Sequence, residues 1–302
     1  MSELHIREAR VQDVEALSAF MRAQGQARCA PAYLAHWYFG NPSGSASVIV
    51  GEQEGRIVGM ATTNDHTFTR DAERALVAMP QKVLTDAAVR GQGIFGRLYR
   101  ASEEAAWSRG AGFFLTVTNA ASTPIFLERF GYLRLPSPRL ALLPAWPGAL
   151  QAGPIDAADA PARSSVPDVW CMDADAGHRR WRYAPAVADD LLCLRLPDRG
   201  WVFVRKARKA GLPVLLVLDL VPERPAMRPQ LLAALRRLAW REGTVGALLL
   251  VQAAWKDALN PAHPRLLRSS GFNLLVKGRD AAHTHALARQ RFDLAFGDLD
   301  FL

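Results

Sequence analysis

The sequence predicts an α/β fold in two domains of the same plan. Three observations lead there. Strand-like and helix-like patterns alternate along the chain, a strand, strand, helix, strand order occurs twice, and a stretch rich in proline, alanine and glycine at residues 143–166 separates the two occurrences. A length of 302 residues suits two domains, each large enough for its own core. The expected division is a domain over 1–142, a linker over 143–166 and a domain over 167–302.

Residues 4–9 alternate as a strand, and residues 11–21 place apolar side chains at helical spacing. Residues 47–53 and 56–62 are β-like runs about a Glu54-Gly55 turn and read as a hairpin. A strand over 81–86 runs into Arg90-Gly91-Gln92-Gly93-Ile94-Phe95-Gly96, and a helix follows to about Arg109, stopped by Gly110. Residues 112–118 form a continuous apolar strand suited to a sheet centre, and residues 123–130 a short helix closed by Gly131. Past the linker, residues 191–196, 201–205 and 212–220 read as strands, 230–241 as a helix and 245–252 as a strand. The words echo as well: His36-Trp37-Tyr38 in the first half has a counterpart in Arg180-Trp181-Arg182-Tyr183 of the second.

Composition removes several classes. With 50% hydrophobic and 22% charged residues, the chain is neither disordered nor collagen-like. No apolar run approaches the ~18 residues that cross a bilayer, and the N-terminus lacks the layout of a signal peptide, so the cytoplasm is expected and a membrane partner is not. Cys29, Cys171 and Cys193 show no CxxC spacing and read as core residues. His283 and His285, two apart, would not share a helical face, so no metal is expected. The net charge is +8, but five of the 37 basic residues are lysines, basic runs are short and no aromatic platform interleaves them. Nucleic acid is therefore not expected as a partner.

The chemistry concentrates at residues 90–96. Glycines between a strand and a helix let backbone amides converge at the helix N-terminus, which makes an anion cradle. Neither the P-loop nor the GxGxxG spacing is met.

This segment resembles the R/Q-x-x-G-x-G/A acyl-CoA motif of the GNAT acetyltransferase superfamily, with Arg90 and Gly93 at its first and fourth positions. Phe95 stands at its last position, with Gly96 just after. Arg7-Glu8-Ala9 with Asp13 resembles the family's opening, residues 54–59 its second hairpin, and residues 119–132 its closing motif, so the likeness covers about residues 3–140. The second half is similar, more weakly, to the degenerate domain of tandem members. The resemblance implies two domains, each a central mixed sheet flanked by helices, and transfer of acetyl from acetyl-CoA to an amine, or a hydroxyl, of a small polar acceptor such as an amino sugar. Gly91, Gln92, Gly93, Ile94, Phe95 and Gly96 would hold the pyrophosphate with Arg90. Val83, Leu84 and Thr85 would pair with the pantetheine arm, an amide near Thr85 would face the oxyanion, and Asn119 would complete the site.

Leu127 stands where the family usually carries the tyrosine that protonates the leaving thiolate. Candidate bases are Asp86 at the end of the CoA strand, and Asp65 or His66 at the end of the strand before it; each also fits an ordinary strand end. Residues 218–229 hold no glycine and three prolines, so a second CoA site is not expected. Asp298, Asp300 and the terminal carboxyl are candidates to orient a cationic acceptor. Two other readings stand beside transfer of acetyl: transfer of a longer acyl group, and a non-catalytic sensor or scaffold that binds acyl-CoA.

Overall fold

The computed structural model describes residues 3–43, 46–163, 166–187, 190–259 and 266–299. In the first half, β1 (His5–Glu8) is followed by α1 (Val14–Ala23), α2 (Pro31–Leu34) and a π-helical turn over Ala35–Phe39. Next come β2 (Ser47–Gln53), β3 (Arg56–Arg70), β4 (Glu73–Thr85), α3 (Ile94–Ser108), β5 (Phe113–Thr118), α4 (Thr123–Phe130), β6 (Leu133–Arg134) and β7 (Arg139–Pro144). The second half holds β8 (Gly153–Pro154), β9 (Val169–Met172), α5 (Ala176–Arg182), β10 (Leu191–Leu196), β11 (Gly200–Lys209) and β12 (Leu212–Pro222). It ends with α6 (Arg228–Arg241), β13 (Gly246–Leu250), β14 (Leu266–Ser269), β15 (Asn273–Lys277), α7 (Ala281–Ala288), β16 (Arg291–Asp293) and a 3₁₀ turn over Phe296–Asp298.

Two mixed sheets result, and their strand orders correspond. The first runs β1-β2-β3-β4-β5-β15-β6, and the second, read from its other edge, runs β8-β10-β11-β12-β13-β7-β14. Each sheet thus receives its sixth strand from the other half of the chain. β15 lies antiparallel to β5, with Leu275 opposite Thr116, and β7 lies antiparallel to β13, with Leu248 opposite Leu142. The expected boundary at 142 falls inside β7, which belongs to the second sheet. β9 and β16, also from the second half, extend the first sheet at the far end of β3.

The halves are packed as well as exchanged. Trp37 and Trp181, the echoed tryptophans, stack with centroids 4.7 Å apart. The contact is reciprocal: the Trp181 indole donates to the His36 carbonyl at 3.0 Å, and His36 Nε2 meets the Trp181 carbonyl at 2.8 Å. One buried cluster runs through both halves, from Leu17 and Trp37 through Phe113 and Trp170 to Phe203 and Leu218. The two halves thus share one apolar core.

Helix α3 is amphipathic, burying Ile94, Leu98, Tyr99, Ser102, Glu103 and Ala106 on one stripe. Among these, Tyr99 meets Tyr132 hydroxyl to hydroxyl at 2.5 Å, and Glu103 accepts from Lys277 at 2.7 Å. Lys277 ends β15, so a buried ion pair fastens the exchanged strand to α3. Burial raises the Glu103 pKa, and Lys277 opposes the rise.

Candidate active site

β4 and β5 are parallel and paired at Val77 with Phe113 and at Ala78 with Phe114, after which they part. The cause lies in β4. Ala61 faces Val83 and Thr63 faces Pro80, so Gln81 and Lys82 both stand opposite Thr62 as a bulge, which bends the strand away. The bulge is pinned: Lys82 N donates to Thr62 Oγ1 at 3.0 Å, and Gln81 Oε1 accepts from the Trp37 indole at 2.8 Å. Because Trp37 stacks on Trp181, the bulge is positioned from the contact between the halves.

Three cavities follow the parting strands. The first encloses about 730 Å³ among Val83, Leu84, Thr85, Arg90, Gly91, Gly93, Ile94, Phe95 and Gly96. The second, about 260 Å³, lies between residues 80–84 of β4 and residues 116–119 beyond it. The third, about 610 Å³, opens on the far side, with residues 79–82 and 116–120 on one wall and residues 270–273 and Leu299 on the other. Adjacent cavities share lining residues: Val83, Leu84 and Phe95 belong to the first two, and Gln81, Lys82 and Asn119 to the last two. They form one channel with a narrow middle, and its outer chamber is built by both halves.

The cradle has the geometry the glycines suggest. Gly91 and Gly93 take φ of +83° and +73°, and Gly93 is the N-cap of α3. A Cβ on either would meet nothing within 4 Å, because both face open space. The first i to i−4 bond of the helix joins Arg97 N to Gly93 O, so the amides of Ile94, Phe95 and Gly96 precede it and point outward. Arg90 Nε donates to Thr85 O at 3.3 Å, closing the loop. Asp86 N binds Val58 O, so alternation turns the amides of Val83 and Thr85 away from β3, onto the open edge.

All the expected cofactor-binding residues but Gln92 and Asn119 line the first cavity; Gln92 is exposed at its rim, and Asn119 lines the other two. Asn119 Oδ1 also accepts from the amides of Ala121 and Ser122, shaping the entry to α4.

The three candidate bases are not brought to the channel. Asp86 caps a 3₁₀ turn, accepting from Ala88 N at 2.9 Å. Asp65 is fully buried against Arg109, 3.0 Å away; burial pushes its pKa up to about 6 against the pull of that guanidinium. His66 is buried with its ring edge-on to His178, and burial with the nearby Arg182 pulls its pKa down to about 3. Asp65 and His66 pair with Ala78 and Val77, below the point where the strands part, which is why neither reaches the opening. Among the described residues lining the three cavities there is no aspartate, glutamate or histidine. Leu127 packs with the α3 and α4 side chains and lines none of them.

Sequence reasoning missed Gln81, Lys82, Arg100 and Arg129 in the channel wall. Arg100 carried a usable signal, being four residues after Gly96 on the same helix, where long side chains lean back toward the N-terminus.

The second sheet parts in the same way and is filled. β12 pairs with β13 at Leu215 and Leu216 only, and it bulges at Leu218, since Phe203 faces Asp219 and Val204 faces Val217. The turn over Phe296–Asp298 packs onto that bulge, so closely that a Cβ on Gly297 would lie 2.8 Å from Leu218 O. Arg163 grips Asp298 with two hydrogen bonds of 2.6 and 2.7 Å and reaches Asp219 at 2.8 Å. Burial opposes the Arg163 charge, but the two carboxylates hold it well above the ordinary value. The space left between Leu220 and Gln252 is about 20 Å³. Asp298 is thus taken up in this cluster, while Asp300 and the terminal carboxyl lie outside the described residues.

The comparisons with known proteins agree with this architecture. Residues 12–132 match the acetyltransferase (GNAT) family. No curated protein sequence matches the chain. Among solved structures, Eis1 from Mycobacterium abscessus superposes with a TM-score of 0.58 at 16% identity, covering 95% of this chain and 76% of its own. A GCN5-related N-acetyltransferase from Kribbella flavida gives 0.60 at 13% identity, covering 95% and 74%. A GCN5-related N-acetyltransferase from Anabaena variabilis gives 0.60 at 11%, covering 91% and 72%. At these identities the likeness is one of fold, and it spans both halves. Residues 12–132 thus match the GNAT acetyltransferase family, and the fold over the length of the chain is similar to that of these acetyltransferase structures.

Proposed function

We propose that the chain transfers acetyl from acetyl-CoA to the amine of a small polar acceptor, directly and within a ternary complex. The observation that carries this reading is the continuous channel from the α3 cradle, past the open edge of β4, to an outer chamber. Outward amides of residues 91–96, the α3 dipole and Arg90 suit a diphosphate. The amides of Val83 and Thr85 suit an extended amide-bearing arm laid along the edge. That arm would bring the thioester to the narrow middle, with the outward amides of β4 between Val83 and Thr85 as donors for an oxyanion.

The acceptor enters from the outer chamber, and its neutral nitrogen attacks the thioester carbon. The C–N bond forms, the C–S bond breaks, the thiolate takes up a proton and the nitrogen loses one. With no carboxylate or imidazole among the described channel residues, the nitrogen's proton leaves through water. With Leu127 outside the channel, the leaving thiolate takes its proton from water. The second half contributes the chamber's other wall and no second CoA site.

The test is release of free CoA from acetyl-CoA, read with a thiol reagent against a panel of amines. Acceptor-dependent release supports the reading. Tight binding with no release under any acceptor would favour the sensor, and faster release from a longer acyl-CoA would favour the longer group.

A further inference from the structure

We infer that one end of the second sheet is a docking surface for an anionic lipid bilayer. Of the five large hydrophobic side chains exposed among the described residues, four gather there: Trp146, Leu212, Trp240 and Val245. Backbone hydrogen bonds make them neighbours. Val245 N donates to Pro213 O beside Leu212, Ala145 N donates to Val245 O, and Trp146 N donates to Arg236 O, one turn before Trp240 on α6. Segments far apart in sequence thus form one face. Leu212 is presented by a tight hairpin turn opposite Lys209, with Ala210 and Gly211 at φ of +49° and +81°. Trp146 is braced by the Arg236 guanidinium, 5.2 Å over its ring.

The charge around these side chains is almost all of one sign. Lys206, Arg208 and Lys209 end β11, and Arg236, Arg237 and Arg241 occupy the last two turns of α6. Arg208 donates to Gly211 O in the hairpin turn, and Arg237 lies against Gly148, just past Trp146. The one carboxylate of these segments, Glu242, is held by Lys206 and Arg241 at 3.1 and 3.2 Å. Such a face suits a headgroup layer: the cations meet anionic lipid, the indoles sit at the boundary, and Leu212 and Val245 enter the acyl region. Aliphatic tips have no π-face for bases to stack on, which disfavours nucleic acid, and a second copy of this face would set cation against cation. No helix among the described residues is long and apolar enough to cross a membrane, and this surface needs none, because it lies on the bilayer. The expectation of no membrane partner came from spanning runs and does not extend to a face assembled by folding.

Sedimentation with vesicles tests this, using phosphatidylcholine alone and phosphatidylcholine mixed with phosphatidylserine. The wild type is expected to partition onto the mixed vesicles at least about tenfold more strongly, and to leave them as salt rises. Leu212→Ser and Trp240→Ser, at side chains open to solvent, should each weaken that partitioning about threefold or more with circular dichroism unchanged. Lys209→Glu should weaken it and flatten the salt dependence. Equal or absent partitioning onto the two kinds of vesicle, or variants that bind as the wild type does, would overturn the surface. So would displacement from vesicles by a single-stranded oligonucleotide, or a dimer that Leu212→Ser dissociates and that binds no vesicle.

Discussion

Both sheets part a parallel strand pair beside a bulge, yet one opening is a channel of several hundred Å³ and the other retains about 20 Å³. The difference does not come from strand order, which the two halves share. It comes from what the chain puts into each opening. On the first sheet, glycines leave amides outward and space in front of them. On the second, prolines replace the glycines, and the C-terminal turn with its Arg163 cluster occupies the bulge. A repeated fold therefore carries a site only where its backbone donors stay unspent and its gap stays empty. The filled copy keeps a structural task. Its exchanged strand, its tryptophan and its C-terminal segment hold the open copy in shape and wall its outer chamber.

The comparison can be broken at either opening. The largest effect is expected from Gly93→Asp, which sets a carboxylate among the amides at a left-handed φ. Acyl-CoA affinity should fall by more than about a hundredfold, the equivalent of ~2.7 kcal/mol, with circular dichroism unchanged. Retained affinity in a folded variant would remove the cradle.

Next in size is Arg163→Met, which leaves Asp298 buried without its cation and Asp219 with Arg179 alone, 3.9 Å away. A loss of about 3–5 kcal/mol in denaturant unfolding is expected, with no gain of a second CoA site. A stable variant that binds two CoA molecules would show the second opening to be merely blocked.

Lys277→Met strips the partner from Glu103 where the exchanged strand meets α3. Since the Lys277 side chain is 19% exposed, a smaller loss is expected, about 2 kcal/mol in the same assay. An unchanged midpoint would mean the strand is held by its ladder alone.

Smallest for each unit step is a dependence on pH. His66 is held down to about 3 by burial and by Arg182, and His178 lies well below its ordinary value through burial, His66 and nearby arginines. As pH falls below 6.5 the unfolded chain takes up these protons and the folded protein does not, so stability is lost from there down to about pH 3. Asp65 acts oppositely below about pH 6, because its raised folded pKa lets the native carboxyl take its proton first. His66→Gln should make the stability curve shallower by about 1.4 kcal/mol per pH unit across that window. Parallel curves for wild type and variant would show that His66 titrates normally in the folded state.

Much of this was legible in the sequence, and the exceptions share a cause. Local signals located the cradle, since glycine spacing and helix capping belong to a few consecutive residues. The echo of Trp37 in Trp181 was visible too, and marked the contact between the halves. Strand exchange was not legible: the sequence reading placed no strand at β7 or β15, and which sheet each joins depends on partners more than a hundred residues away. Asp65 and His66 looked like strand-end candidates because β3 was expected to stop near Thr62. It runs to Arg70, which places both inside the sheet. Asp298 read as a candidate to orient a cationic acceptor, and nothing local revealed that Arg163 would draw it into the second opening.

The most direct test of one open and one filled copy is the stoichiometry of acetyl-CoA binding by calorimetry, on the wild type and on Gly93→Asp. One molecule per chain, lost in the variant, is the expected result. Two per chain, or one that survives Gly93→Asp, would contradict the account.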